Sequence, residues 1–180
     1  MRKTVLITGA SGGLGLEFAR IYAREGFDLV VVARSEGKLY KLKSELETQY
    51  DCHVWVLAQD LSQPDAAYEV FNYTLEKNIT IDALVNNAGF GDFGNFWEVD
   101  AQRQTDLLQV NIMTLVQLTR YFLPGMVERR HGSVLNLSSV AAFSAGPRMC
   151  LYYASKEFVR SFSEAVAEEV RSTGVTVTAL

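Results

Sequence analysis

The segment LYYASKEF, residues 151–158, sets two tyrosines ahead of a lysine. Tyr152 stands four positions before Lys156 and Tyr153 stands three before it. On a helix either phenol can share a face with the ammonium. A phenol beside a positive charge is a usable proton donor. An ordinary phenol is about three pKa units too weakly acidic for neutral pH, a deficit of about 4 kcal/mol. One ammonium about 4 Å away supplies about that much at an effective dielectric of about 20. Taken alone, however, a Tyr–Lys pair at helical spacing is an ordinary surface feature, and spacing does not choose between the two tyrosines.

A second stretch with chemical content is TGASGGLG, residues 8–15. It falls between an apolar, β-branched run (TVLITG, 4–9) and a segment of helical period (LEFARIYAREG, 16–26). In that context Gly9 makes a tight turn, Gly13 lets the backbone approach a pyrophosphate, and Gly15 lets the helix pack on the sheet. The first N–H groups of the helix, at its positive end, then receive the anion. Ser11 offers a hydroxyl, and Leu14 belongs to the same cofactor-binding turn. The spacing is not G-x-G-x-x-G and there is no P-loop lysine, which argues against an ATPase. At the end of the second apolar run, DLVVVAR, stands Arg34, where a site for NAD would place a carboxylate. Its guanidinium can clamp a 2′-phosphate through two parallel hydrogen bonds. Glu36 competes, since turned inward it would favour NAD. The reading is NADP, with NAD less favoured.

The elements that must hold these groups follow from alternation along the chain. Strands are expected at 4–9, 28–34, 53–61, 82–89, 133–139 and 175–180. Helices are expected at 16–26, from the charged stretch after the second strand to about Tyr50, after Pro64 and Asp65, from about Asp100 to Phe122, and from about Tyr152 to Ser172. Continuous apolar strands alternating with helices mean a parallel sheet covered on both faces. Six strands and five helices suit a doubly wound, Rossmann-like α/β fold. The 180 residues are read as one domain.

Composition narrows the function classes. A net charge of −4 with no compact basic patch argues against a nucleic-acid partner, and MVERRHG (126–132) reads as a solvated helix end. Two cysteines, Cys52 and Cys150, give no disulfide framework. The opening MRKTVLITGA has too short an apolar stretch for a signal peptide, and no run of 18 apolar residues spans a membrane. A cytoplasmic protein is expected. His53 and His131, the only histidines, lack metal-ligand spacing, so no metal is expected, and no G-x-S-x-G elbow marks a hydrolase. The chain stops inside the sixth strand, and a longer natural polypeptide is expected on that ground.

With TGASGGLG (8–15), QDL (59–61), NNAG (86–89), VN (110–111), LSS (137–139) and YYASK (152–156) in order, the chain resembles the short-chain dehydrogenase/reductase family in its single-domain form. The resemblance covers essentially the whole chain. It implies interconversion of a carbonyl and an alcohol by hydride transfer. The family's Tyr-x-x-x-Lys pattern selects Tyr152 as general acid/base, and its serine thirteen residues earlier selects Ser139 over Ser138. It implies that Asn111 completes a tetrad and helps hold a water linked to Lys156, and that Lys156 also binds the nicotinamide ribose. Asp60 and Leu61 would flank the adenine, and Asn87, Ala88 and Gly89 would line the cofactor. Helices of about 100–122 and 152–172 resemble those that pair between family subunits, implying a homodimer or homotetramer. The family normally continues into a substrate lid and a seventh strand, which this sequence lacks. In the family the segment GFGDFGNFWEV (89–99) lies near the substrate mouth, so the resemblance implies that its aromatics, with those of the candidate substrate loop AAFSAGPRM (141–149), meet a bulky, apolar small-molecule carbonyl substrate. The alternative is an NADP-binding sensor or scaffold without turnover.

Overall fold

The computed structural model describes residues 2–180. Six parallel strands lie in the order β3-β2-β1-β4-β5-β6. They are β1 (Thr4–Thr8), β2 (Asp28–Ala33), β3 (Val54–Ala58), β4 (Ala83–Asn86), β5 (Gly132–Asn136) and β6 (Val175–Ala179). Each central strand is a continuous apolar run because both its faces are covered: β1 and β4 are buried along their whole length. The doubly wound sheet inferred from alternation is the one observed.

The helices are α1 (Gly13–Arg24), α2 (Glu36–Gln49), α3 (Ala66–Glu76), α4 (Ala101–Leu108), α5 (Leu115–Arg129) and α6 (Cys150–Glu169). On one face, Val5, Ile7 and Val31 pack with Ala19 and Ala23 of α1 and with Leu39, Leu42 and Leu46 of α2. On the other, Leu6, Val30 and Leu84 pack with Val70 of α3, Leu118 and Phe122 of α5, and Val166 of α6. Sheet order reverses between β1 and β4, and the crevice beyond their carboxyl ends is where an open α/β sheet takes a ligand.

Three boundaries differ from the periodicity. Helix α1 starts at Gly13 rather than Leu16, because glycines carry no hydrophobic period even when they form a first turn. The strands expected at 53–61, 82–89 and 133–139 end at Ala58, Asn86 and Asn136, and the residues beyond them are loops over the crevice. The helix expected at 100–122 runs on to Arg129 through Pro124 and contains a π-turn at Gln109–Thr114. Such turns are frequent at functional sites, and this one carries Asn111.

A buried polar chain underlies the crevice. Asn86 Nδ2 donates to Asn136 Oδ1 at 2.9 Å and to Thr119 Oγ1 at 3.1 Å. Asn136 Nδ2 donates to Ser163 Oγ at 2.9 Å. Neighbouring strand ends are thereby tied to α5 and α6. In a dry interior such bonds are costly to leave unmade, so they fix where the two helices sit. Among the described residues no helix is long and apolar enough to cross a membrane.

Candidate active site

The glycine-rich turn is built on close backbone approach. Thr8 Oγ1 accepts from Asn87 N and Ala88 N, both at 3.0 Å. Asn87 Nδ2 donates to the Thr8 carbonyl at 2.9 Å and the Gly9 carbonyl at 3.3 Å. A Cβ on Gly9 would lie 2.7 Å from Asn87 Nδ2, and φ there is +68°, a conformation that L side chains rarely adopt. A Cβ on Gly15 would strike the Gly9 carbonyl itself. Both glycines are therefore required by packing alone.

Gly13 is different. Its φ is +55° and the space a Cβ would take is open. Helix α1 begins there with no side-chain cap, so its first N–H groups have no intrahelical partner. The turn thus fits the pyrophosphate of a dinucleotide, which binds at bare helix N-termini.

From the turn a cleft of about 350 Å³ runs past Ser11, Arg34, Asp60, Leu61 and Ala88. Arg34 and Ser35 line it, while Glu36, the competing NAD determinant, opens α2 outside the lining. The Asp60 carboxylate accepts from Ser62 N at 3.0 Å and Ser62 Oγ at 2.9 Å, which stiffens the turn below Leu61. Leu61 is in turn held by Thr114, whose hydroxyl donates to the Leu61 carbonyl at 2.9 Å. Neither Thr8 nor Thr114 stood out in the sequence as a site residue. Thr8 was visible as the threonine heading the glycine turn, whereas nothing in the sequence marks Thr114.

At the other end of the crevice a groove is lined by Leu14, Asn87, Gly89, Ser138, Tyr152 and Lys156. Lys156 is 6% exposed, and its Nζ donates to the Leu137 carbonyl at 2.7 Å. Burial pushes its pKa down to about 8, because an ammonium loses hydration there. The Nζ lies 5.7 Å from the centre of the Tyr152 ring. A Cβ on Gly89 would sit 3.1 Å from Asn111 Oδ1 and 3.5 Å from Lys156 Nζ. Asn111, Lys156 and Tyr152 therefore lie together at this end of the crevice.

The two tyrosines part company. Tyr152 faces the groove beside Lys156. Tyr153 turns to a separate shallow depression and covers Gly146 so closely that a Cβ there would strike its ring.

The Asn111 side chain is engaged within the protein. Its Oδ1 accepts from Phe90 N at 3.1 Å, and its Nδ2 donates to the Phe90 carbonyl at 3.0 Å and to Ser155 Oγ at 3.1 Å. The amide is thus committed to pinning the strand-end loop.

The serines divide as well. Ser138 Oγ donates to the Lys156 carbonyl at 2.7 Å. Ser139 Oγ accepts from Ala141 N at 3.1 Å, capping a short 3₁₀ turn at Val140–Phe143. A serine has one proton to give. Ser138 spends its proton on the helix, whereas the Ser139 oxygen is engaged as an acceptor; Ser138 rather than Ser139 lines the groove. No group of three or more His, Cys, Asp and Glu is placed to hold a metal ion among the described residues.

A glycine turn at the β1/β4 crossover, with a helical Tyr and a buried Lys over its far end, defines a nucleotide-binding oxidoreductase architecture. The short chain dehydrogenase family model matches residues 3–180, and the chain belongs to that family. It is 34% identical over 175 residues to the very-long-chain 3-oxoacyl-CoA reductase of Laccaria bicolor, covering 96% of this chain and 52% of that protein. It is 34% identical over 176 residues to the protein of the same name from Anas platyrhynchos, covering 96% and 56%. The chain thus spans about half the length of the curated relatives it matches. Among solved structures, the bulky-bulky ketone specific alcohol dehydrogenase from Comamonas testosteroni superposes with a TM-score of 0.93 at 33% identity, over 98% of this chain and 70% of that one. A short-chain dehydrogenase from Sphingobium yanoikuyae in complex with NADPH gives a TM-score of 0.93 at 34% identity, over 98% and 69%.

Proposed function

We propose that this chain performs NADP-linked interconversion of a bulky, apolar carbonyl and its alcohol. The observation that carries the reading is the buried Lys156 ammonium, 5.7 Å from the Tyr152 ring at the end of a crevice that begins with a bare helix N-terminus. Arg34 in the cleft lining supports NADP over NAD, because a guanidinium fork matches a 2′-phosphate. NADPH, when bound, supplies the hydride.

Everything else is work for the chain's own residues. Tyr152 gives its proton to the developing alkoxide, and takes it back in the direction of alcohol oxidation. Lys156 favours the tyrosinate left behind, and its charge acts at short range in a poorly solvated groove. Ser139, its oxygen already occupied by Ala141 N, directs its proton at the substrate oxygen. Asn111 holds Phe90 and so fixes the ledge on which the nicotinamide would rest. The relatives named for 3-oxoacyl-CoA and bulky ketones agree with the apolar rim of Phe93, Val99 and Met149 along the adjoining groove.

Steady NADPH oxidation across a panel of long-chain 3-oxoacyl thioesters, bulky ketones and short aldehydes tests the reading. Turnover with the bulky substrates, and faster with NADPH than with NADH, is expected. Tight NADPH binding without turnover of any carbonyl would leave the sensor alternative standing instead.

A further inference from the structure

The end of β5 and the two residues after it grip α6 at successive points. Asn136 Nδ2 donates to Ser163 Oγ at 2.9 Å, the Leu137 carbonyl accepts from Lys156 Nζ at 2.7 Å, and Ser138 Oγ donates to the Lys156 carbonyl at 2.7 Å. Lys156 is therefore held at both ends, its ammonium by residue 137 and its main chain by residue 138. Ser138 is itself fixed, since its N–H donates to the Leu180 carbonyl at 2.7 Å.

Inside a helix a backbone carbonyl already has an amide partner four residues on. The extra bond from Ser138 is not needed to form α6. What it adds is position: it sets the height and rotation of the Lys156 turn against the strand end. Tyr152 stands one helical turn earlier on the same face, so the same bond fixes the phenol. A long lysine side chain loses much rotamer freedom when buried, and anchoring its root reduces the ways its tip can leave the Leu137 carbonyl.

We infer that Ser138 is a positioning residue for Lys156 and Tyr152, and that it does not donate to the substrate. The inference rests on the catalytic reading of that pair. It assigns separate tasks to adjacent serines, one spent on the helix and one left for the ligand. A sequence of two serines in a row does not show that division, because both have the same hydroxyl and differ only in the direction it takes.

The test compares wild type with Ser138→Ala and Ser138→Thr. With NADPH and a reducible ketone, Ser138→Ala should lower kcat roughly two- to twelvefold, the range one lost neutral hydrogen bond produces. Ser138→Thr, which keeps the hydroxyl, should return kcat to within about twofold of wild type on the same grounds. A kcat loss in Ser138→Ala below that range would make Ser138 merely structural. A loss above it would make Ser138 the substrate donor. An unrestored loss in the threonine variant would remove the hydroxyl from the explanation. Any of these three overturns the inference.

A second arm needs no cofactor. Lys156 is acetylated with dilute anhydride and followed by mass spectrometry. Labelling should be faster in Ser138→Ala and wild-type-like in Ser138→Thr; equal labelling in all three contradicts the inference. If wild type reduces no carbonyl at all, the catalytic reading falls, and the labelling arm alone still decides whether Ser138 holds Lys156.

Discussion

The two sides of the crevice are built differently. On the catalytic side, polar side chains are buried and tied to backbone: Asn111 is 1% exposed and bonded to Phe90 on both its amide atoms, and Lys156 is bonded to Leu137. On the rim, aromatic side chains face outward. Trp97 is 80% exposed and Phe93 is 69% exposed, and the Arg148 guanidinium lies over the Phe93 ring at 4.9 Å. Chemistry that must be repeated on every turnover is held by rigid, satisfied groups. A surface that would meet a bulky substrate on the proposed reading is left exposed. The contrast predicts that substitutions on the catalytic side change rate and stability sharply, while those on the rim change substrate preference.

The largest effect is expected at Lys156. Replacing it with methionine should lower kcat by about a thousandfold, within the span general acid–base assistance commands. The same change should stabilise the apo chain at neutral pH. The folded pKa of about 8 lies below the ordinary value, so the buried ammonium opposes folding by about 3 kcal/mol below pH 8. That penalty shrinks as pH rises from 8 toward the unfolded value and is absent above it. Thermal melting of both proteins at pH 7 and pH 10 should show the methionine variant ahead at the lower pH, with the gap closing at the higher. A methionine variant that melts below wild type at pH 7 would break the contrast, because Lys156 would then be a stabilising residue.

Next comes Arg34. Arg34→Glu should raise the KM for NADPH about 10- to 100-fold, the cost of a charge-assisted bidentate contact, and leave that for NADH little changed. Steady-state titration of both coenzymes checks it. Gly15→Ala should cost about 3 kcal/mol in denaturant unfolding, because its Cβ meets main chain that cannot yield. The smallest effect belongs to the rim: Trp97→Ala should change turnover of a small aldehyde less than about twofold, and show itself only with bulky substrates. Equal losses for small and bulky substrates would sharpen the comparison the other way and move Trp97 to the catalytic side.

How much of this was legible in the sequence varies with the kind of signal. The doubly covered parallel sheet was legible from continuous apolar runs such as LVVVA in β2, which suit burial on both faces, whereas the strand order came from the structure. The glycine turn was legible because Gly9, Gly13 and Gly15 sit at fixed offsets from a strand end. Tyr152 over Tyr153 came from the resemblance, since helical spacing admits both; the structure parts them by turning Tyr153 onto Gly146. The π-turn was not legible, because inserting one residue in a helix leaves no compositional mark in QVNIMT. The commitments of Asn111 and Ser138 were also hidden. Which partner a polar side chain takes depends on contacts 21 and 18 residues distant, which periodicity does not encode.

The central claim is that Tyr152, and not its neighbour, delivers the proton beside a buried ammonium. The direct measurement is kcat/KM for ketone reduction by Tyr152→Phe and Tyr153→Phe at saturating NADPH, with cofactor affinity measured alongside. A loss of about a thousandfold in the first, with affinity retained, and less than about threefold in the second is the predicted result. Comparable losses in both, or an active Tyr152→Phe, would contradict it.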